Sequence, residues 1–194
     1  KQNIHIKEFI LLGIFAAFGF LSKYLFIYLL VSIDLLFFYL IFIKKDRRYD
    51  HKYIIPLLVF IVLLIPHLFW LIKNDFITVS YGLHRSGLSE PNIIDHLKHP
   101  IIFFGKQIVI LIPFFILASF IVSKLKFNMK FADKKLFFLI VVNMLPIFLI
   151  FLTSLILGAK IRTMWMTPFY LFFGLFFVYL FQSQINLKKL TSFL

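Results

Sequence analysis

Lys160 and Arg162 stand two positions apart, five and three residues before Trp165, and Pro168 follows in the same apolar run. Two cations ahead of a helix start place fixed positive charge beside N-terminal amides, which suits a phosphate. The competing arrangement is a pair of snorkelling side chains next to an interfacial tryptophan. The same choice applies to other basic positions. Lys23 lies at a break between two apolar runs, and Lys106 opens a third together with Gln107. Arg85 is one of only four arginines. Each is a candidate for a lipid-phosphate contact, with headgroup anchoring as the alternative. Trp70, three residues after His67, reads as an interfacial belt residue or as part of a substrate pocket, where Gln107 and Trp165 are also expected.

Acidic residues are scarce, at 8 against 21 basic ones. Asp75 is the carboxylate nearest the expected outer surface and stands as a helix cap or a general base. Asp34 falls in mid-span, where a carboxylate is costly and requires a partner or a proton. His84, Asp95, His96 and His99 invite a metal reading, since an i,i+3 pair such as His96 and His99 can share a helix face and bind zinc through neutral imidazoles. A divalent metal is thus an open cofactor. There is no P-loop, no HExxH, no GxSxG and no pair of outer-face carboxylates. Taken alone, the chain offers anion-binding groups without a catalytic base.

These residues must be positioned by membrane helices. Of 194 residues, 62% are hydrophobic and 29 are phenylalanine, with a mean hydropathy of +0.99. A soluble domain is about 45–50% apolar, so a water-soluble enzyme or a disordered chain is excluded. The fold class expected is all-α, a polytopic bundle with spans at 8–22, 24–43, 53–72, 101–123, 136–158 and 165–182. No alternation of period two supports a barrel. A formal charge of +13 would point to nucleic acid in a soluble protein, but here the cations cluster between spans, so no nucleic-acid partner is expected. Placing the start, 44–52, 124–135 and the tail on one side collects 14 of the 21 basic residues there, leaving 7 opposite. The richer side is expected to be cytoplasmic. Lys23, the loop 73–100 and the loop 159–164 then face outward. Within 73–100, Glu90-Pro91-Asn92 reads as the start of a short amphipathic helix, 93–99, lying on the membrane surface. No cysteine is present, which removes disulfides and thiol chemistry.

Three stretches resemble a known family. Gly19-Phe20-Leu21-Ser22-Lys23-Tyr24 resembles the GLxxLSKY corner of bacterial membrane glycosyltransferases. Phe69-Trp70, Asp75-Phe76-Ile77-Thr78 and Arg85 resemble its LxWNxxHDFxTxxxxxxR stretch. Gly105-Lys106-Gln107 before a helix with Pro113, and then 160–168, resemble its later landmarks. The family is the dolichyl-phosphate-mannose-protein mannosyltransferase-like group, which includes aminoarabinose transferases and belongs to the GT-C superfamily. Leu71 stands where Asn often follows Trp, and Met164 where Asn is frequent, which leaves the acceptor class open. The resemblance implies sugar transfer from a polyprenyl-phosphate donor to a lipid, glycan or protein acceptor on the outer face of a bacterial inner membrane. It implies that Lys23, Lys160 and Arg162 touch the donor phosphate, with Arg85 in support. The family's catalytic carboxylate precedes the GFLSKY corner, so the 194 residues, which begin at Lys1, are expected to be a single transmembrane domain forming the C-terminal portion of a longer transferase. The alternatives are a transporter or flippase, which would need polar mid-span groups such as Asp34, His67 and Asn143 along a path, or a non-catalytic membrane subunit.

Overall fold

A computed structural model describes residues 5–45, 50–88, 92–122 and 133–185. Among the described residues the secondary structure is helical, with one isolated antiparallel bridge between Val122 and Ile185. The expected Glu90-Pro91 helix start, and Lys1, Arg47, Arg48, Lys124, Lys126, Lys130, Lys188 and Lys189, lie outside the described residues.

The helices are α1 (Ile6–Ser22), α2 (Ile27–Phe38), α3 (Ile55–Lys73), α4 (Ile77–Arg85), α5 (Asp95–Ile121), α6 (Lys134–Leu157) and α7 (Phe173–Phe181). A 3₁₀ turn leads into α2 and a π turn extends it, giving a continuous rod over Tyr24–Ile43. That rod, His51–Lys73, α5 and α6 are long and apolar enough to cross a membrane, and the bent pair Thr163–Tyr170 and Phe173–Phe181 would make a fifth span. Only 11–33% of each long candidate span is buried, so most of its apolar surface faces outward, as lipid contact requires. α1, with 17 residues, rises about 25 Å, a little under the hydrocarbon thickness.

The chain gathers into two compact units, Lys1–Arg85 and Ser86–Leu194. In the first, α1 and α3 run parallel. Phe9 meets Tyr53 near their starts, and Phe20 meets Phe60 further along. Gly13 permits this approach, because a Cβ there would lie 2.6 Å from the Pro56 carbonyl oxygen and 2.7 Å from Val59 Cβ. In the second unit α5 and α6 are antiparallel, since the start of α5 touches the end of α6. The far end of α6 begins at Asp133, whose carboxylate caps the Lys135 N–H at 2.9 Å and accepts the Tyr179 hydroxyl at 2.5 Å. That phenol bond, with the backbone bond, holds the Asp133 carboxyl below the usual range.

Three sequence expectations need correction. The separate surface helix 93–99 does not form. α5 starts at Asp95 and runs through Pro100 as one 27-residue helix, because a missing N–H removes a single bond while the remaining turns continue to satisfy the backbone. The loop 73–100 is largely helical, since α4 occupies Ile77–Arg85. The last expected span is broken: a 3₁₀ stretch containing Pro168 gives way to α7 with a 50° bend.

Candidate functional site

Lys23 sits on a rigid corner of the first unit. Its backbone is extended (φ −160°, ψ 115°), its N–H bonds the Gly19 and Phe20 carbonyls at 3.2 Å each, and its carbonyl accepts the Phe26 N–H at 2.8 Å. The Ser22 hydroxyl closes on the Gly19 carbonyl at 2.7 Å. Gly19 presses against the Phe26 ring, where a Cβ would collide, so the corner is specified on both sides. Burial lowers the Lys23 ammonium below its ordinary value of 10.5.

Tyr24, the next residue, reaches two other elements. Its hydroxyl lies 2.8 Å from His67 Nε2 on α3 and 2.9 Å from Thr78 Oγ1 on α4. His67 in turn stacks on Trp70, with ring centroids 5.9 Å apart and planes 13° from parallel. The turn from α3 to α4 passes through Asp75 (φ 48°) and Phe76 (φ 53°), both left-handed. Aspartate tolerates that region better than most residues, which gives Asp75 a conformational reason as well as an acidic one. Its side chain is exposed. Tyr24, just past the end of α1, meets α3 at His67, six residues before α3 ends at Lys73. Arg85 closes α4 seven residues beyond Thr78, about 10 Å along the helix. Its Nη1 donates to the Tyr81 hydroxyl at 2.6 Å, and its guanidinium carbon lies 5.7 Å from that ring's centroid. Asp34 faces away from the buried side of its helix, which Leu29, Ser32 and Leu36 form.

In the second unit the candidates gather where α5 begins and α6 ends. His96 and His99, the metal-ligand candidates, bond through Nδ1 to the Leu155 and Gly158 carbonyls, at 3.0 and 2.7 Å. They cap the C-terminal carbonyls of α6. His99 Nε2 lies 3.5 Å from Asp95 Oδ1. Among the described residues no three His, Asp or Glu side chains come together as a metal site. Ser154, fully buried, donates to the Ala159 carbonyl at 2.6 Å, and Gly158 takes the left-handed conformation (φ 67°) that ends the helix. The Lys160 N–H then bonds the Ser86 carbonyl at 2.8 Å. The loop bearing Lys160 and Arg162 is therefore held at successive residues.

Arg162 caps the 3₁₀ stretch, its carbonyl accepting the Trp165 N–H at 3.0 Å. Its Nε is shielded from solvent and has no hydrogen-bond partner among the described residues. An Nε–H so placed can donate to an anion. The Lys160 side chain is exposed, and Trp165 is half-buried two residues beyond the start of the stretch. Lys106 is exposed and is the twelfth residue of α5, deeper than the span opening the sequence suggested. Gln107 is buried, donating to the Phe103 carbonyl at 3.1 Å and accepting the Tyr170 hydroxyl at 2.6 Å. That geometry gives it a packing role between α5 and the 3₁₀ stretch.

Residues 1–70 match the family model described as dolichyl-phosphate-mannose-protein mannosyltransferase. This N-terminal segment is similar to that family. The mannosyltransferase match spans α1, the Lys23 corner, the second rod and α3 as far as Trp70. It supports a membrane glycosyltransferase of the GT-C type. No curated protein and no solved structure matches the chain. Within the matched segment, the sequence singles out Lys23 but gives no sign of the role of the Tyr24 hydroxyl. Nothing in spacing signals a bond between residues 43 and 54 positions apart.

Proposed function

We propose that this chain carries the donor-phosphate end of a membrane glycosyltransferase, which moves a sugar from a polyprenyl-phosphate donor to a lipid, glycan or protein acceptor on the outer face of a bacterial inner membrane. The observation that carries the reading is the family match over residues 1–70, because it falls on the corner that presents Lys23. The unpartnered Arg162 Nε supports it from the second unit.

The chemistry asks for cations at the leaving group. As the acceptor oxygen or nitrogen bonds to the anomeric carbon, the bond from that carbon to the phosphate oxygen breaks. The departing polyprenyl phosphate gains negative charge, and fixed ammonium and guanidinium groups stabilise that charge in the transition state. Lys23 and Arg85 in the first unit, and Lys106, Lys160 and Arg162 in the second, are the groups assigned to this task. Trp70 and Trp165 are each assigned a substrate contact. Gln107 braces the 3₁₀ stretch that carries Trp165, through its bond to Tyr170.

The test is transfer from a polyprenyl-phosphate sugar by the full-length protein. Lys160→Ala and Arg162→Ala should each lower turnover by about 100-fold or more, with membrane insertion unchanged. Full turnover in both variants would remove the 160–162 loop from the donor site.

A further inference from the structure

We propose that Tyr24 is a positioning residue for Lys23, a role that rests on the donor-phosphate reading of that lysine. Three separate elements meet at one phenol. The 3₁₀ turn after Lys23 supplies Tyr24, α3 supplies His67 at 2.8 Å, and α4 supplies Thr78 at 2.9 Å. The phenol is half-buried, so both bonds are shielded from competing water. A hydroxyl has one hydrogen and lone pairs, so it donates to one partner and accepts from the other. The three groups therefore satisfy one another as a unit.

The consequence falls on Lys23. Its own backbone is already held by the Gly19, Phe20 and Phe26 bonds, which define the shape of the corner but not its placement against the rest of the unit. Tyr24 supplies that placement by fastening the residue after Lys23 to α3 and α4. The Tyr24 ring also packs on Phe20, at 5.4 Å between centroids, and on His67, at 5.8 Å. A flexible lysine arm binds a phosphate best when its base cannot drift, because the ordering cost is then met before the ligand arrives. Removing the hydroxyl leaves the ring contacts in place and frees the corner. Thr78 belongs to the same device, at its outer partner.

The experiment measures binding of undecaprenyl phosphate, in phosphatidylcholine vesicles, to the full-length protein and its variants. Tyr24→Phe and Thr78→Val should each weaken binding about five- to tenfold, while Thr78→Ser retains it. In a Lys23→Ala background, Tyr24→Phe should cause no further loss, since a residue that acts through Lys23 is non-additive with it. Unchanged binding in Tyr24→Phe and Thr78→Val overturns the proposal. An equal loss in the presence and absence of Lys23 also overturns it, because that pattern belongs to general loosening of the fold. Lys23→Ala alone reports on the donor-site reading: if it binds normally, that reading of Lys23 fails whatever Tyr24→Phe does.

Discussion

Lys23 links a residue's surroundings to a measurable pH dependence. Burial lowers its pKa from 10.5, so the ammonium is lost at a lower pH than for an exposed lysine. Phosphate binding needs the charged form. Binding of undecaprenyl phosphate should therefore weaken as pH rises through the lowered value, and Lys23→Arg, which keeps its charge, should move that weakening to higher pH. A titration of binding from about pH 7 to about pH 10 checks this, and an identical pH profile for both proteins would exclude Lys23 as the titrating contact. For folding the sign is opposite. Between the lowered value and 10.5 the unfolded chain holds more protons, so stability rises with pH across that window. The types and spacing of Lys23, Lys160 and Arg162 were legible in sequence. The shielding of Arg162 Nε was not, because burial is set by packing and not by residue type.

The elements show how nearby signals acquire distant partners. The i,i+3 spacing of His96 and His99 brings both to the α6 terminus, where their Nδ1 atoms bond the carbonyls of Leu155 and Gly158. Gly158 is needed twice at this junction, for its positive φ and because a Cβ would lie 3.3 Å from the His96 ring. Gly158→Ala should cost about 1–2 kcal/mol from the left-handed backbone alone, with crowding of His96 added. Thermal denaturation in detergent should show a lower Tm, and an unchanged Tm would mean that this helix end is not under conformational constraint. The break between the 3₁₀ stretch and α7 was also half legible. Pro168 marks a weak point, but the 50° bend depends on how the flanking turns pack.

At the scale of the whole molecule, charge distribution makes a directional statement. The 14-to-7 division of basic residues predicts that the 44–52 loop faces the cytoplasm and that the 73–100 and 159–164 loops face outward. The chain has no cysteine, so single substitutions can report the side directly. A cysteine at Lys45 should react with an impermeant thiol reagent only in permeabilised cells, and one at Lys98 should react in intact cells. The reverse pattern would invert the topology and move Lys23 and Arg162 to the cytoplasmic side. Hydropathy determined the membrane class, the approximate spans and the positions of the basic residues, because a bilayer imposes its thickness and its charge rule on a chain locally. The tertiary structure decided what each polar group does there. It joined Tyr24 to His67 and Thr78, closed the α6 terminus with two histidines and a serine, drew Gln107 into a buried bond with Tyr170, and left Arg162 Nε without an acceptor. Periodicity reports which face of a helix is apolar. It carries no record of which remote helix that face will meet, and hydrogen-bond partners are chosen only when the helices pack.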